Sequence, residues 1–354
     1  MEKWKKIIAG SLNNSDELAE KFGLDAGTLD KINKIFPCRI PGSWLKHFTS
    51  KNDPLFRQCV PDPAELMDSK ELIDDPLGEV RFKKNEVIVQ KYPDRCLFLV
   101  SGECAMYCRF CTRKRKFKEP FVITQKDIDN GLQYIMEHKE LRDVLISGGD
   151  PLLLDDDRLE YILQKIKSAD HIKIVRIGTR VPGVLPERIT AKLVKMLKKY
   201  HPLYMNIHFN HPAEFLPDTC RALKRLADAG IVLGSQTVLL KGINDDPETM
   251  RSLMWKLLEN RVRPYYIFQC DLVYGTAHFR TPLSKAQEIS SALRGWSSGM
   301  ANAQLVIDLP GGGGKVPVTV NYLKERDGNK LCYRNYCGEE YIYTDISEDD
   351  MEKK

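Results

Sequence analysis

The segment CAMYCRFC, residues 104–111, carries three cysteines in the spacing CxxxCxxC and directly follows an apolar run that we predict to be a strand. A short loop with this spacing can bring the thiolates of Cys104, Cys108 and Cys111 onto one iron–sulfur cluster. Cubane clusters usually take four cysteines, so three would leave one iron with an open coordination site. A structural zinc site is the alternative, but zinc prefers four ligands, often as two pairs, and no second pair with that spacing is nearby.

Short apolar runs rich in β-branched residues recur after this point, and segments with helical periodicity separate them. We predict six strands, each followed by a helix, at residues 97–102, 143–148, 174–179, 203–209, 231–239 and 265–270. Successive strand–helix units imply an α/β fold with a parallel sheet and right-handed crossovers. The number of units alone does not distinguish a curled barrel from an open doubly wound sheet.

Polar residues at the ends of the predicted strands favour the barrel. These residues are Cys104, the segment Ser147–Asp150, Arg180, His208, Gln236 and Asp271. In a parallel barrel the functional residues gather at the carboxyl ends of the strands. We therefore expect one mouth that serves one site.

A second unusual segment, DLPGGGGK at residues 308–315, places four consecutive glycines before Lys315. Such a run is entropically costly, so it favours close approach of the backbone to a ligand, although glycine runs also serve as linkers. A nucleotide-binding P-loop is excluded because Val316 follows the lysine and the next residues read as a strand. A lysine beside a ligand can form a Schiff base if its surroundings lower its pKa.

Composition narrows the class of protein. The chain has 354 residues and a net charge of +5, which is too small for this length to suggest nucleic-acid binding. No apolar run is long enough to span a membrane, and the first ten residues lack the apolar stretch of a secretion signal. We expect a cytoplasmic protein whose ten cysteines form no disulfides.

The cysteine segment, together with SGGDPL at residues 147–152, resembles the radical SAM superfamily. The resemblance implies that a 4Fe-4S cluster on the three cysteines binds S-adenosyl-L-methionine (SAM), which is then cleaved reductively to a radical. Without the cysteines, SGGD would equally suit a strand-to-helix turn, and polar strand ends would suit hydrogen bonding in the core. The residues implied to contact SAM are Ser147, Gly148, Gly149, Asp150, His208 and Gln236.

The glycine segment and stretches such as YHPLYMNIHFNHP and RVRPYYIFQCDL resemble the lysine 2,3-aminomutase family, and the likeness covers roughly residues 50–340. The resemblance implies that Lys315 holds pyridoxal 5'-phosphate (PLP) and that Tyr92 and Arg95, in the segment KYPDR, contact it. Lys91 stands where this family usually has arginine, which keeps the charge but loses the bidentate fork.

By the same resemblance, Arg113 binds the carboxylate of an amino-acid substrate, while Asp271 and Asp308 receive its side-chain ammonium. Two carboxylates that converge in a barrel mouth are costly unless a cation joins them. The pair therefore favours a basic substrate, lysine first and arginine second, although each acid could instead cap a strand or pair with a local arginine. For the basic residues from Lys114 to Lys118 we expect a solvated surface run.

The implied reaction moves the α-amino group of lysine to C3 and yields β-lysine, with an electron donor such as flavodoxin or ferredoxin. Another amino acid 2,3-aminomutase is the nearest alternative, and a non-catalytic iron–sulfur or zinc-binding protein is the alternative of another class. The chain lacks the C-terminal CxCxxC zinc segment of clostridial-type relatives and has Asp246 where they carry a further zinc-binding cysteine. We expect any homo-oligomer to form without intersubunit zinc.

Four regions follow from these patterns. We expect an α/β fold, a partial (β/α)6 barrel of the radical SAM type, with an N-terminal helical extension and a C-terminal PLP-binding segment. The regions are a helical and irregular part at 1–90, the barrel at 91–300, the PLP-lysine segment at 301–345 and a solvated tail at 346–354.

Overall fold

The structure, a computed structural model, describes residues 2–67, 69–118 and 122–346. Its first part is helical, as the sequence predicts. The predicted tail at 346–354 lies outside the described residues except for Ile346. The helices of this first part are α1 (Lys3–Ala9), α2 (Ser15–Phe22), α3 (Ala26–Ile35), α4 (Gly42–Leu45) and α5 (Pro54–Arg57).

Nine strands form one sheet whose order in space follows the order in the chain. The strands from β2 to β8 are parallel, whereas β1 and β9 pair antiparallel at the two edges. The strands are β1 (Ile88–Tyr92), β2 (Arg95–Ser101), β3 (Asp143–Gly148), β4 (Ile174–Thr179), β5 (Leu203–His208), β6 (Val232–Leu239), β7 (Arg263–Gln269), β8 (Gln304–Leu309) and β9 (Gly314–Pro317).

The sheet curves until its two edges nearly meet. Tyr92, at the end of β1, accepts a hydrogen bond on its hydroxyl oxygen from the backbone N–H of Lys315 on β9, at 3.2 Å. The fold is therefore the expected partial barrel. The six predicted strands correspond to β2–β7, and β8 adds a seventh parallel strand that the prediction did not include.

Helices lie between the strands and bury one apolar face each. In the first of them, Thr124 and Asp127 form a capping box, and Ile128, Leu132 and Ile135 are buried, as their spacing predicts. The helices are α6 (Gln125–Glu137), α7 (Asp156–Lys167), α8 (Val181–Val184), α9 (Ala191–Leu197), α10 (Pro217–Asp228), α11 (Pro247–Glu259) and α12 (Leu283–Leu293). None of the helices in the described residues has both the length and the apolar character to cross a bilayer.

A separate antiparallel sheet of three strands ends the described chain: β10 (Leu323–Asp327), β11 (Lys330–Arg334) and β12 (Glu340–Thr344). Leu331 is buried, but every residue of β12 is exposed, including Tyr341, Ile342 and Tyr343. Strand β12 therefore presents large apolar side chains to its surroundings.

Candidate active site

The carboxyl ends of the parallel strands surround a cavity of about 280 Å³. A second cavity of about 510 Å³ shares Arg113, Gln236, Asp308 and Lys315 with it and is also lined by Tyr92 and Arg95. The remaining residues that the sequence singles out line the first cavity: Cys104, Cys108, Cys111, Ser147, Gly148, Gly149, Asp150, His208 and Asp271. All the sequence-predicted site residues thus line one or both of two neighbouring cavities that share lining residues.

Arg109, inside the cysteine segment, anchors that loop to the N-terminal part of the chain. Its Nε and NH2 groups donate to the carboxylate of Glu65, both at 2.7 Å, and its NH1 group donates to the carbonyl of Pro37 at 2.9 Å. The side chains of Arg109 and Glu65 are 0% and 4% exposed. Sequence reasoning missed this pair, although an arginine between two cluster cysteines was visible.

The prediction of a solvated run from Lys114 to Lys118 is wrong for Lys114, Arg115 and Lys116, which are buried or half-buried, whereas Lys118 is exposed. Lys114 is buried. Its ammonium lies 3.2 Å from the carboxylate of Glu65 and donates to the carbonyl of Gly275 at 2.9 Å. Arg115 pairs with Asp75 at 3.1 Å. These cations contact the N-terminal region and, at Gly275, the loop after β7, and these contacts join residues that are distant in sequence.

The glycines at 148–149 let the end of β3 lie against the residues that lead into the cysteine loop. The N–H of Gly149 donates to the carbonyl of Ser101, and the N–H of Asp150 donates to that of Glu103, both at 2.6 Å. A Cβ added at Gly149 would overlap the backbone of Glu103. The glycine pair is therefore required for close packing beside Cys104.

Asp150 connects β3 to β4. One carboxylate oxygen accepts from the hydroxyl of Thr179 and the other from the backbone N–H of Arg180, each at 2.7 Å. Burial raises the pKa of Asp150 to about 6, and these hydrogen bonds oppose the rise. The carboxylate is thus occupied in fixing the strand ends around the cavity.

The three cysteine thiols share the first cavity and offer a donor set of the kind that iron–sulfur clusters use. Burial raises the pKa of Cys104 well above its usual value and that of Cys111 to about 11. Ligation deprotonates such thiols. In the described residues, no group of three or more His, Cys, Asp or Glu side chains is already arranged to hold a single metal ion.

Arg180 borders the same thiols. Its NH1 group donates to Sγ of Cys108 at 2.8 Å, and its buried Nε finds no hydrogen-bond partner within the described parts of the chain. An unsatisfied buried donor of this kind can be completed by a ligand. The residues around the cavity therefore fit a cluster with a further polar ligand beside it.

His208 ends β5 and forms a side-chain hydrogen bond with Gln236 on β6. Burial, together with the nearby cations of Arg180 and Arg113, lowers the pKa of His208 to about 4, while the hydrogen bond with Gln236 opposes the shift. The imidazole is consequently neutral at pH 7 and serves as a hydrogen-bonding group rather than a charge.

Lys315 and the two predicted substrate-binding acids lie at one side of the cavity. The Lys315 ammonium is 2.9 and 3.2 Å from the two carboxylate oxygens of Asp308. Burial, together with the charge of Asp308, raises the pKa of Asp271 to about 7, while Lys315 and Lys91 oppose the rise. Two acids therefore share a poorly solvated space in which cations determine their charge.

The glycine run brings Lys315 beside the predicted PLP-contacting residues. Gly312 has φ +87°, and a Cβ there would overlap the ring of Phe82, so the backbone needs glycine to lie against this segment. The guanidinium of Arg95 is 3.9 Å from the ring centroid of Tyr92. An amine, a phenol and a guanidinium beside one cavity fit an aldehyde that carries a phosphate.

Arg113 reaches both cavities and is held by Glu79. Its Nε donates to Glu79 at 2.6 Å, and its NH1 lies 3.5 Å from the hydroxyl of Ser147. Burial by itself would raise the pKa of Glu79, but Arg113 and its basic neighbours lower it overall, so Glu79 stays ionised. Sequence reasoning missed Glu79, which lies 34 residues before Arg113.

Two family models match the chain. The Radical SAM superfamily model matches residues 98–254, and the Lysine-2,3-aminomutase model matches residues 290–353. The first match spans the strands and helices that carry the cysteines and His208, and it supports SAM and an iron–sulfur cluster as the cofactors of this domain. The second begins in α12 and includes Lys315.

Curated relatives are similar over most of the chain. The L-lysine 2,3-aminomutase of Methanococcus maripaludis is 44% identical over 95% of this chain and 79% of its own length. That of Clostridium subterminale is 48% identical over 81% of this chain and 69% of its own. The glutamate 2,3-aminomutase of Clostridioides difficile is 44% identical over 81% of this chain and 68% of its own.

These likenesses agree with the barrel, the cysteine loop and the position of Lys315. Relatives that act on different amino acids are about equally similar, so overall identity does not select a substrate. The chain belongs to the lysine 2,3-aminomutase family of radical SAM enzymes.

Proposed function

We propose that this enzyme is an L-lysine 2,3-aminomutase, which moves the α-amino group of lysine to C3 and returns a hydrogen to C2. The observation that carries the substrate choice is the contact between Asp308 and a primary ammonium, that of Lys315, at 2.9 and 3.2 Å. The ammonium of a lysine side chain has the same chemistry. Asp271, beside Asp308, gives the second carboxylate.

Charge balance supports the same substrate. Asp308 and Asp271 are both buried or nearly so, and a glutamate side chain would add a third negative charge to this space. Such a charge would be strongly disfavoured in a poorly solvated site. A cationic side chain instead neutralises the pair, which supports lysine first and arginine as the second candidate.

Arg113 is the proposed carboxylate-binding residue. Its guanidinium lines both cavities, and Glu79 holds it through Nε, which directs the group and leaves its outer nitrogens to reach a ligand. A guanidinium matches the geometry of a carboxylate. The two ends of a lysine molecule would then be held by Arg113 and by the acid pair, which positions C2 and C3 between them.

The cofactors are proposed to occupy the two cavities. Cys104, Cys108 and Cys111 would hold the cluster, with SAM contacts from Ser147, Gly148, Gly149, Asp150, His208 and Gln236, and Lys315, Tyr92 and Arg95 would hold PLP. When bound, SAM would supply the radical and PLP the π-system that lets the nitrogen migrate. The protein would orient the substrate and exclude water.

Direct assay tests the proposal. Purified, anaerobically reconstituted enzyme with SAM, PLP and dithionite is incubated with lysine, arginine or glutamate, and the products are separated by chromatography. We expect β-lysine as the main product, with arginine converted more slowly and glutamate unchanged. Preferred conversion of glutamate, or no amino migration on any of the three, would contradict the proposal.

We propose further properties of the enzyme. The chain divides at residues 90, 300 and 345 into the four regions expected from the sequence. The enzyme is cytoplasmic, and a flavodoxin or ferredoxin donates the electron. The exposed Tyr341, Ile342 and Tyr343 of β12 support a homo-oligomer, since patches of this kind mark interaction surfaces. Asp246, at the place where clostridial-type relatives carry a zinc-binding cysteine, caps α11 by accepting from Thr249 N–H at 2.9 Å.

A further inference from the structure

We infer that Arg180 is a positioning residue that sets the reduction potential of the iron–sulfur cluster through its hydrogen bond to Cys108. The NH1 group of Arg180 lies 2.8 Å from Sγ of Cys108. Cys108 is the middle cysteine of the three. The inference rests on the cluster expected of the radical SAM domain and is independent of which amino acid the enzyme converts.

Arg180 is held rigidly on the side away from the thiol. Its NH2 group donates to the side-chain oxygen of Gln58 and lies 3.3 Å from the carboxylate of Glu214. The same oxygen of Gln58 accepts from Asn210, at 3.0 Å. The guanidinium therefore cannot turn away from Cys108 without breaking buried hydrogen bonds, which would be costly.

The surroundings keep this cation charged beside the cysteine. An arginine guanidinium stays protonated even when it is buried, and the carboxylate of Glu214, 3.3 Å from the NH2 group of Arg180, balances its charge. The guanidinium also lies 5.3 Å from the ring centroid of Phe110, in the cysteine segment. The buried, permanently charged guanidinium of Arg180 thus contacts both the thiol of Cys108 and the buried carboxylate of Glu214.

A hydrogen bond to a cluster sulfur makes reduction easier. The reduced cluster carries one more negative charge than the oxidised cluster, so a positive donor at a ligating sulfur stabilises the reduced form more. Loss of the donor should shift the potential to more negative values. Loss of the negative charge of Glu214 should shift it to more positive values, because the field of Arg180 is then less compensated.

The test is a redox titration followed by electron paramagnetic resonance on reconstituted enzyme, with iron and sulfide content measured for each variant. We expect a more negative potential in R180Q, a smaller shift in the same direction in R180K, and a more positive potential in E214Q. Electrostatic control predicts shifts of opposite sign, because R180Q removes a positive charge and E214Q a negative one. General disruption of the fold would not change sign with the charge that is removed.

R188Q is the matched control, because Arg188 is also fully buried but donates to the carbonyls of Leu152 and Leu154 at 2.6 and 2.9 Å. We expect its potential to equal that of the parent. The inference is overturned if R180Q with a full cluster keeps the parent potential. If R180Q does not retain a cluster, parent potentials in both R180K and E214Q overturn it instead. An enzyme that converts no lysine but shows these shifts would refute the proposed substrate and retain the inference.

Discussion

Lys315 and Asp308 are direct cross-strand partners, since β8 and β9 pair antiparallel with these two residues opposite each other. Their side chains lie on the same face, which brings the ammonium of Lys315 to 2.9 Å from the nearer carboxylate oxygen. The exposed fractions of the two side chains are 35% for Lys315 and 4% for Asp308. Both side chains line the two cavities, and Lys315 is the more exposed of the two.

Replacing Lys315 by alanine should abolish PLP attachment and activity but leave the cluster intact, because the cysteines lie on a different segment. Absorbance of the PLP-lysine adduct, its reduction with borohydride and iron analysis check this. K330A is the control, because Lys330 is an exposed lysine on β11. Unchanged adduct absorbance in K315A would remove Lys315 from the PLP site.

The KM for lysine should rise as pH falls below about 7. Asp271 has a pKa raised to about 7, so below that pH a proton competes with the substrate ammonium for its carboxylate. We expect KM to rise roughly fivefold between pH 7 and pH 6, since the ionised fraction of a carboxyl with a pKa of about 7 falls by that factor. D271N should have a high KM with no such dependence, as steady-state assays from pH 6 to 8.5 will show. A flat KM in the parent would exclude Asp271 from substrate binding.

The same carboxyl should make the folded chain less stable as pH rises from about 4 to 7. Within this range Asp271 is ionised in the unfolded chain but keeps its proton in the folded chain, so stability falls with pH. D271N should therefore gain stability over the parent by up to about 1.4 kcal/mol per pH unit. Denaturant unfolding at pH 5.5 and pH 8 measures the difference. D246N, at the N-cap of α11, should show no such gain, and an equal gain there would refute the assignment to Asp271.

E65Q should destabilise the protein by about 3 kcal/mol, because it leaves Arg109 and Lys114 buried without a compensating charge. We expect the cysteine loop to loosen and iron content after reconstitution to fall. E103Q is the matched control, since the pair that Glu103 forms with Arg39 is exposed and contributes less than about 1 kcal/mol. Chemical unfolding and iron analysis compare the two, and equal effects would argue against Arg109 as the anchor of the loop.

G149A should lower cluster content, because the added methyl group would force the end of β3 away from Glu103 and displace the start of the cysteine loop. Overpacking of this kind destabilises by about 1–3 kcal/mol. G299A, where a Cβ meets nothing within 4 Å, should retain full cluster content. Normal iron content and stability in G149A would show that the backbone tolerates the separation.

Local patterns predicted the parallel strands because strands buried on both faces read as continuous apolar runs. Strand β8 was missed because QLVIDL directly precedes the glycine run and was assigned to the PLP segment. The motifs singled out the cysteines, Lys315 and the acids, which the structure places around one cavity. Glu65, Glu79 and Gln58 were not singled out, because the contacts that give them their roles join residues 34 to 152 positions apart in the chain, which no local pattern records.

The hydrogen bond between Tyr92 and the backbone of Lys315 lies at the seam of the barrel, where the first and last strands of the sheet meet without forming a ladder. A cofactor held by Arg95 on one side and by Lys315 on the other would bridge this seam. Part of the free energy of cofactor binding would then stabilise the closed sheet. Cofactor binding and closure of the barrel would therefore be linked equilibria. The junction between the first and last strands would then be most firmly closed in the cofactor-loaded enzyme.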